Sequence, residues 1–275
     1  MTTPTIGVFD SGFGGLTVLK ALLGRLPHAR FVFLGDTARL PYGSKSRRTI
    51  ARYAVESAQF LVREQQAQFL VIACNTASAL ALDAIQAAVP VPVLGVIEPG
   101  AQSARQASKT GDVLVLATQA TVDSHAYAAA CHARGLRCLE RATPLLVPLV
   151  EEGWVDHPVT AQVIQIYLDQ LMIDAHAAGL NPDTLVLGCT HYPLLRPLLE
   201  RAVPAGMRVI DSADAAAETA SQLVSGRYHE ASDPDPAAIP EVRCFATDSV
   251  EKFERLGSRF LGREVGKVGL VDLGG

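Results

Sequence analysis

The sequence predicts an α/β protein of two similar three-layer halves, each with a mainly parallel sheet, and a site in the cleft between them. Three observations carry this prediction. Short apolar runs alternate with longer helical stretches along the whole chain. One device occurs twice, as Phe69-Leu70-Val71-Ile72-Ala73-Cys74-Asn75-Thr76 and as Leu185-Val186-Leu187-Gly188-Cys189-Thr190-His191. In each, an apolar run of buried-strand length ends in a small residue, a cysteine and polar residues. The 275 residues are also 49% hydrophobic and only 19% charged. A charged share below the ~25% of ordinary soluble domains suits strands covered on both faces.

Taken in order, the strand-length runs are residues 6–9, 31–34, 69–73, 91–97, 113–117, 185–187 and 208–210. A helix is expected over 44–66, where Tyr53, Phe60 and Leu61 share a face. Another is expected over 159–178, where Val163, Ile166, Tyr167, Leu171 and Ala175 recur near a 3.6 period. Glu98-Pro99-Gly100 marks a boundary between two strand sets, one holding Cys74 and the other Cys189. After residue 213 come a helix over 215–225, a Pro- and Asp-rich loop over 231–240, an extended segment at 243–247 and a helix over 250–261. This tail is too short for a third domain. It is expected to return to the first half, so that 1–98 with 213–275 form one domain and 99–212 the other.

Several function classes are disfavoured. The net charge is −4, so no global positive field draws nucleic acid or an anionic membrane. The cluster of Lys45, Arg47 and Arg48 reads as a solvated helix start. No run of ~18 or more apolar residues exists, so no membrane span is expected. Met1-Thr2-Thr3-Pro4 shows no signal peptide. Five cysteines, widely spaced and odd in number, read as reduced thiols of a cytoplasmic protein.

The first constellation is Val8-Phe9-Asp10-Ser11-Gly12-Phe13-Gly14-Gly15, a strand breaking into a Gly-rich turn. Its spacing matches neither nucleotide fingerprint. A carboxylate or small phosphate on the turn's N–H groups fits better, unless Ser11 only caps a helix and the glycines only turn. Asp10, at the strand's carboxyl end, is placed to orient an ammonium or assist a proton transfer. The second is Arg39-Leu40-Pro41-Tyr42-Gly43, a turn that offers N–H groups and a phenol to a carboxylate.

The third is the cysteine pair. Cys131, Cys138 and Cys244 read as small buried hydrophobes. Cys74 and Cys189 lie at strand carboxyl ends, where open α/β sheets bind ligands. Each precedes a helix, whose N-terminal field is expected to lower the thiol pKa. Three chemistries could use them. A metal set would add His191 and Asp10, but C-x-H is not a usual zinc spacing. A redox disulfide would be expected to use C-x-x-C. Paired acid–base catalysis needs one thiolate to remove a proton and one thiol to deliver a proton to the opposite face. Asp10, Asp36, Glu151, Glu152 and His191 are the available supporting groups, with a turn or cap the plain reading of Asp36 and solvent exposure that of the two glutamates. His191 could polarise Cys189, because a cation beside a thiol favours the thiolate. No cofactor is expected. Pyridoxal phosphate needs a lysine at a strand end, and Lys20, Lys45, Lys109, Lys252 and Lys267 lie outside those motifs.

The chain resembles the glutamate racemase family, within the cofactor-independent Asp/Glu racemase superfamily. The resemblance rests on Gly7 to Leu16, Asp36 to Gly43, Ala73-Cys74-Asn75-Thr76-Ala77, Gly95 to Gly100, Thr118 to Ser124 and Gly188-Cys189-Thr190-His191-Tyr192-Pro193. It runs in order to about Ser212 and is weakest after Tyr228. It implies two pseudo-twofold related α/β domains with glutamate between them, and D-glutamate supply for bacterial peptidoglycan. It implies Cys74 and Cys189 as the proton-transfer pair, assisted by Asp10 and His191. It implies glutamate binding by Asp10, Ser11, Tyr42, Gly43, Asn75, Thr76, Thr190 and His191, with Thr118 and Thr121 as further candidates. Glu151 best matches the family's further acid, although Glu152 adjoins it. Many family members dimerise, so a homodimer is one arrangement the resemblance allows, although no interface patch is evident in the sequence. The rivals are a relative acting on aspartate, a hydantoin or an arylmalonate, and a ligand-sensing or partner-inhibiting module on the same scaffold. Aspartate differs by one methylene, worth only ~1–3 kcal/mol in a pocket.

Overall fold

The structure is a computed structural model and describes residues 4–226 and 240–274. The first half contains β1 (Thr5–Asp10), α1 (Leu16–Arg25), β2 (Arg30–Gly35), α2 (Arg47–Arg63), β3 (Phe69–Ile72), α3 (Asn75–Leu80), α4 (Leu82–Ala88) and β4 (Val93–Gly95). Helix α5 (Ile97–Ala107) leads into β5 (Asp112–Ala117), α6 (Gln119–Asp123), α7 (Ala126–His132), β6 (Arg137–Ala142), α8 (Leu146–Glu151), α9 (Pro158–Ala177), β7 (Thr184–Gly188), α10 (Arg196–Ala202) and β8 (Arg208–Asp211). The tail supplies α11 (Ser212–Ser225), β9 (Val242–Ala246), α12 (Val250–Leu261) and β10 (Val268–Leu270).

The strands form two parallel sheets, in the orders β10-β9-β2-β1-β3-β4 and β6-β5-β7-β8. Both contain the same doubly wound order, since β2-β1-β3-β4 maps onto β6-β5-β7-β8. Cys74 follows β3 and Cys189 follows β7, so the two cysteines hold equivalent places. Each lies beside the topological switch point of its own sheet, where such folds bind ligands. The register sets the neighbours. Phe9 pairs with Ile72, which brings Asp10 beside the Cys74 loop, and Ala117 pairs with Gly188, which brings Thr118 beside the Cys189 loop. The tail strand β9 pairs with β2 and β10 with β9, so the tail extends the first sheet.

Three buried apolar clusters hold the layers. One spans both halves, joining Val8 and Phe13 to Leu114, Leu187 and Ala216. The others lie on the far face of each sheet, around Phe9, Leu34 and Ile72 in one and Val115, Tyr127 and Val186 in the other. The shared cluster includes Cys189 and, on the other side, Ala73, whereas Cys74 packs in the first half's own cluster.

Local chemistry moves several predicted boundaries. The first long helix runs from Arg47 to Arg63 rather than 44–66, because Ser46 caps Thr49 N–H and Gln66 turns to φ 57°. Strand β4 ends at Gly95 because Val96 N–H bonds Ser78 Oγ at 3.2 Å and α5 then begins. Helix α11 starts at Ser212, since Asp211 accepts from Ala213 and Asp214 N–H. Glu98-Pro99-Gly100 lies in the first turns of α5. Strand β6 was not predicted: it is an edge strand carrying Arg137, Glu140 and Arg141, so it has no apolar run. Most of the predicted 231–240 loop lies outside the described residues. Among the described residues, no helix is long and apolar enough to cross a membrane.

Asp36 is more than a turn residue. It is fully buried and accepts from Arg39 Nε at 2.8 Å, Tyr42 OH at 2.5 Å and Thr247 Oγ1 at 2.9 Å. It therefore ties the loop after β2 to the tail. Removing one partner of a buried pair leaves the other charge uncompensated. Asp36→Ala is expected to lower stability by about 3–5 kcal/mol. Guanidinium unfolding checks this, and a loss under about 1 kcal/mol would contradict the anchoring role.

Candidate active site

Cys74 and Cys189 line one cavity of about 330 Å³ between the carboxyl ends of the two sheets. They are 5% and 6% exposed, and both are free thiols. Ser11, Tyr42, Gly43, Asn75, Thr76, Thr190 and His191 line the same cavity. Of the residues singled out in the sequence, Asp10 and Thr121 stand behind the wall, at 1% and 0% exposure. The cavity also has an apolar side from Leu40, Pro41, Pro144, Val147 and Pro148. Sequence reasoning missed it, although the apolar stretch from Pro144 to Val150 that leads to Glu151 is its visible trace. Among the described residues, no group of three or more His, Cys, Asp or Glu side chains is arranged to hold a metal ion.

Cys74 caps the N-terminus of α3, its sulfur accepting from Ala77 N–H at 3.4 Å and lying 3.3 Å from Ser11 Oγ. The expected lowering of its pKa does not occur. Burial, then the nearby Asp10 charge, push the thiol up to about 12 against those hydrogen bonds.

One N–H donor of the Gly-rich turn is already taken. Gly12 N–H bonds Asp10 Oδ2 at 3.0 Å, so this donor serves the protein's own carboxylate. Ser11 caps no helix, since α1 begins after Gly15. Asp10 Oδ1 is buried without a partner. Burial raises the Asp10 pKa, against the charge of His191 and the N–H groups of the turn. The glycines instead permit close approach. A Cβ at Gly14 would lie 2.3 Å from Thr190 Oγ1 and 2.6 Å from His191 Nδ1, and one at Gly15 would lie 2.5 Å from Asp10 Cβ. No side chain fits where the two loops meet.

Cys189 has different support. Its sulfur lies 3.9 Å from His191 Nδ1, and His191 Nε2 lies 3.2 Å from Glu151 Oε1. Glu151, at the end of α8, lines the cavity, whereas Glu152 is exposed. Geometry thus selects Glu151 as the partner. Burial disfavours the imidazolium, but hydrogen bonds with Cys189 and Glu151 outweigh it and raise His191 to about 10. Burial likewise opposes the Glu151 carboxylate, yet His191 and Lys252 bring its pKa below the ordinary value. Thr17 on α1 donates to Thr190 O at 3.0 Å, pinning the Cys189 loop to the first half.

These shifts have a sign. A raised His191 contributes stability that is complete below its ordinary value of 6.5 and fades as pH rises toward 10. A lowered Glu151 contributes above its ordinary 4.5 and fades as pH falls below it. Glu151→Gln is therefore expected to lower the melting temperature most between about pH 4.5 and 6.5, and progressively less toward pH 10. A melting difference constant across that range would contradict the pairing.

A hydroxyl triangle joins the halves. Thr76 Oγ1 lies 3.0 Å from Thr118 Oγ1 and 3.3 Å from Thr121 Oγ1, and the latter two are 2.9 Å apart. Such hydroxyls can donate to a carboxylate. Tyr42 departs from expectation, because its phenol is taken by Asp36 and is not offered to a ligand. At Gly43 a Cβ would approach Thr118 Cβ to 3.3 Å, so this turn also packs close to the second half.

Known proteins share this chain's fold and sequence. The Asp/Glu/Hydantoin racemase family profile matches residues 17–220. A glutamate racemase of Koribacter versatilis is 52% identical, covering 99% of this chain and 98% of that protein. Two solved structures superpose over 98% of both chains: glutamate racemase of Bacillus anthracis, at TM-score 0.88 and 35% identity, and that of Francisella tularensis in complex with D-glutamate, at TM-score 0.86 and 34% identity.

Proposed function

The chain belongs to the Asp/Glu/Hydantoin racemase family, and from that premise we propose that it interconverts L- and D-glutamate by proton transfer between two thiols. One observation carries the reading. Two cysteines at equivalent strand ends of two similar sheets share one cavity of small-molecule size. Glutamate binds with Cα between the sulfurs of Cys74 and Cys189. One thiolate removes the Cα proton while the other thiol delivers a proton to the opposite face, so configuration inverts.

The supporting groups divide the work. Burial and the Asp10 charge hold the Cys74 thiol up at about 12, so it needs a nearby positive charge to act as a base. The substrate ammonium supplies that charge, and Asp10 orients it through its own charge from behind the cavity wall. His191, backed by Glu151, holds or receives the proton exchanged with Cys189. Ser11, Asn75, Thr76, Thr190 and the backbone of Tyr42 and Gly43 bind the glutamate carboxylates and ammonium. As negative charge develops at the reacting carboxylate, hydrogen bonds from fixed hydroxyls strengthen. The apolar wall lies along the side-chain methylenes. No metal or pyridoxal phosphate takes part, and the reaction runs in the cytoplasm, supplying D-glutamate for peptidoglycan. The two bodies that meet across the cleft are 1–98 with 213–275, and 99–212.

The test is polarimetry. The pure protein, after exhaustive EDTA dialysis and without added cofactor, is expected to abolish the optical rotation of both L- and D-glutamate. Activity that vanishes on dialysis and returns with zinc would refute the cofactor-free reading. Equal turnover of aspartate would refute the substrate.

A further inference from the structure

We propose that Tyr127 is a positioning residue that sets the Asn75 amide for the substrate and spaces the two cysteine loops. This rests on the racemase reading above. Tyr127 lies on α7, is fully buried, and belongs to none of the motifs around the thiols. Its phenol donates to Asn75 Oδ1 at 2.7 Å. Asn75 directly follows Cys74, so this bond crosses from the second half to the Cys74 loop. The same ring packs against the end of β7, just before Cys189. A Cβ at Gly188, the residue before Cys189, would lie 2.9 Å from Tyr127 Cε2, and one at Gly100 on α5 would lie 3.2 Å from Cε1. Tyr127 is therefore held in a slot that only glycines leave open, with one contact beside each cysteine.

The chemical consequence lies in the amide. Asn75 Oδ1 is occupied by Tyr127 and, at 3.5 Å, by Ser212 Oγ. Both neighbours donate, so the amide is locked with its oxygen toward α7 and α11. Asn75 Nδ2 is buried with no partner, and Asn75 lines the cavity. A buried donor left unpaired is costly, and a bound carboxylate oxygen relieves that cost. Asn75 is thereby preset as a donor to an anionic group of the substrate. Without the phenol, the amide can rotate and present its oxygen, which repels a carboxylate.

The experiment compares wild type, Tyr127→Phe, Asn75→Ala and the double variant, with KM and kcat measured for both enantiomers of glutamate. Phenylalanine keeps the ring in its slot and removes only the hydroxyl. Tyr127→Phe is expected to raise KM about tenfold for both enantiomers, with kcat changed by less than about threefold, as loss of one oriented hydrogen bond implies. In the Asn75→Ala background the same change is expected to add nothing, because the group it positions is gone. A KM within twofold of wild type, or effects that multiply in the double variant, would overturn the assignment. Should Tyr127→Phe fail to fold, Ser212→Ala reads the same lock. It is expected to raise KM about twofold to threefold in wild type and not in the Asn75→Ala background, and an unchanged KM would overturn the proposal. If the wild-type protein does not racemise glutamate, the racemase reading fails instead, a distinct outcome from an active enzyme indifferent to residue 127.

Discussion

Alanine at Cys74 or at Cys189 is expected to lower racemisation of glutamate by at least about a thousandfold, because each removes one of two obligatory proton-transfer groups and such groups contribute ~10²–10⁴ each. The two variants are expected to differ in what they retain. Inversion needs a base on one face of Cα and an acid on the other. Elimination of a leaving group from a β-substituted analogue needs only the base. With Cys74 as the base toward D-glutamate and Cys189 as the base toward L-glutamate, Cys74→Ala keeps elimination from the L-analogue and Cys189→Ala keeps it from the D-analogue. Serine at either position retains little, since its hydroxyl is a far poorer base than a thiolate. The supports of the two sulfurs differ, a serine hydroxyl and a buried carboxyl at Cys74 and an imidazole backed by a carboxylate at Cys189. The residual eliminations are therefore expected to differ in pH profile as well as in enantiomer. If both variants keep elimination from the same enantiomer, the sulfurs do not flank Cα.

A single methyl group far smaller than either cysteine is expected to be nearly as damaging. At Gly14 a Cβ would sit 2.3 Å from Thr190 Oγ1 and 2.6 Å from His191 Nδ1. Neither neighbour can retreat easily. Thr190 is tied through its carbonyl to Thr17, and His191 is wedged between Glu151 and the Phe260 ring, whose centroid lies 5.0 Å from its own. The Cys189 loop must therefore shift away from the Cys74 loop. Misplacing a reacting group by ~1 Å costs about 10²-fold in rate, so Gly14→Ala is expected to lose about a hundredfold in kcat. Gly24 provides the control, since a Cβ there meets nothing within 4 Å and the residue lies in α1. Gly24→Ala is expected to keep full activity and gain about 0.5–1 kcal/mol of stability from helix propensity. Equal activity in the two variants would contradict the close-approach account.

Much of this was legible before the fold was known, for a physical reason in each case. Central parallel strands are apolar on both faces, so 69–73 and 185–187 stand out as runs, and the polar residues after each cysteine mark the strand's carboxyl end. The pairing of Cys74 with Cys189 was readable because the device is duplicated. Strand β6 was not readable, because an edge strand tolerates Arg137, Glu140 and Arg141. The ionisation of Cys74 is not legible, because burial, invisible in a linear sequence, is the largest influence on it. The Tyr42 phenol and the Gly12 N–H are taken by Asp36 and Asp10, through contacts that a linear sequence does not display. The choice between Glu151 and Glu152 depended on which side of one helix end faces His191. Tyr127 left no trace at all, since a lone tyrosine on a short alanine-rich helix reads as core.

The central claim, that two thiols serve opposite faces of Cα, is tested most directly by isotope incorporation in D₂O. Thiol protons exchange rapidly with solvent, so the acid that completes the inversion carries deuterium before the substrate proton reaches solvent. With L- or D-glutamate as substrate and conversion kept low, the product enantiomer is expected to carry deuterium at Cα while the unreacted substrate keeps its protium. Product that retains the original Cα proton, or starting enantiomer that exchanges as fast as product forms, would mean that a single group serves both faces and would contradict the two-thiol account.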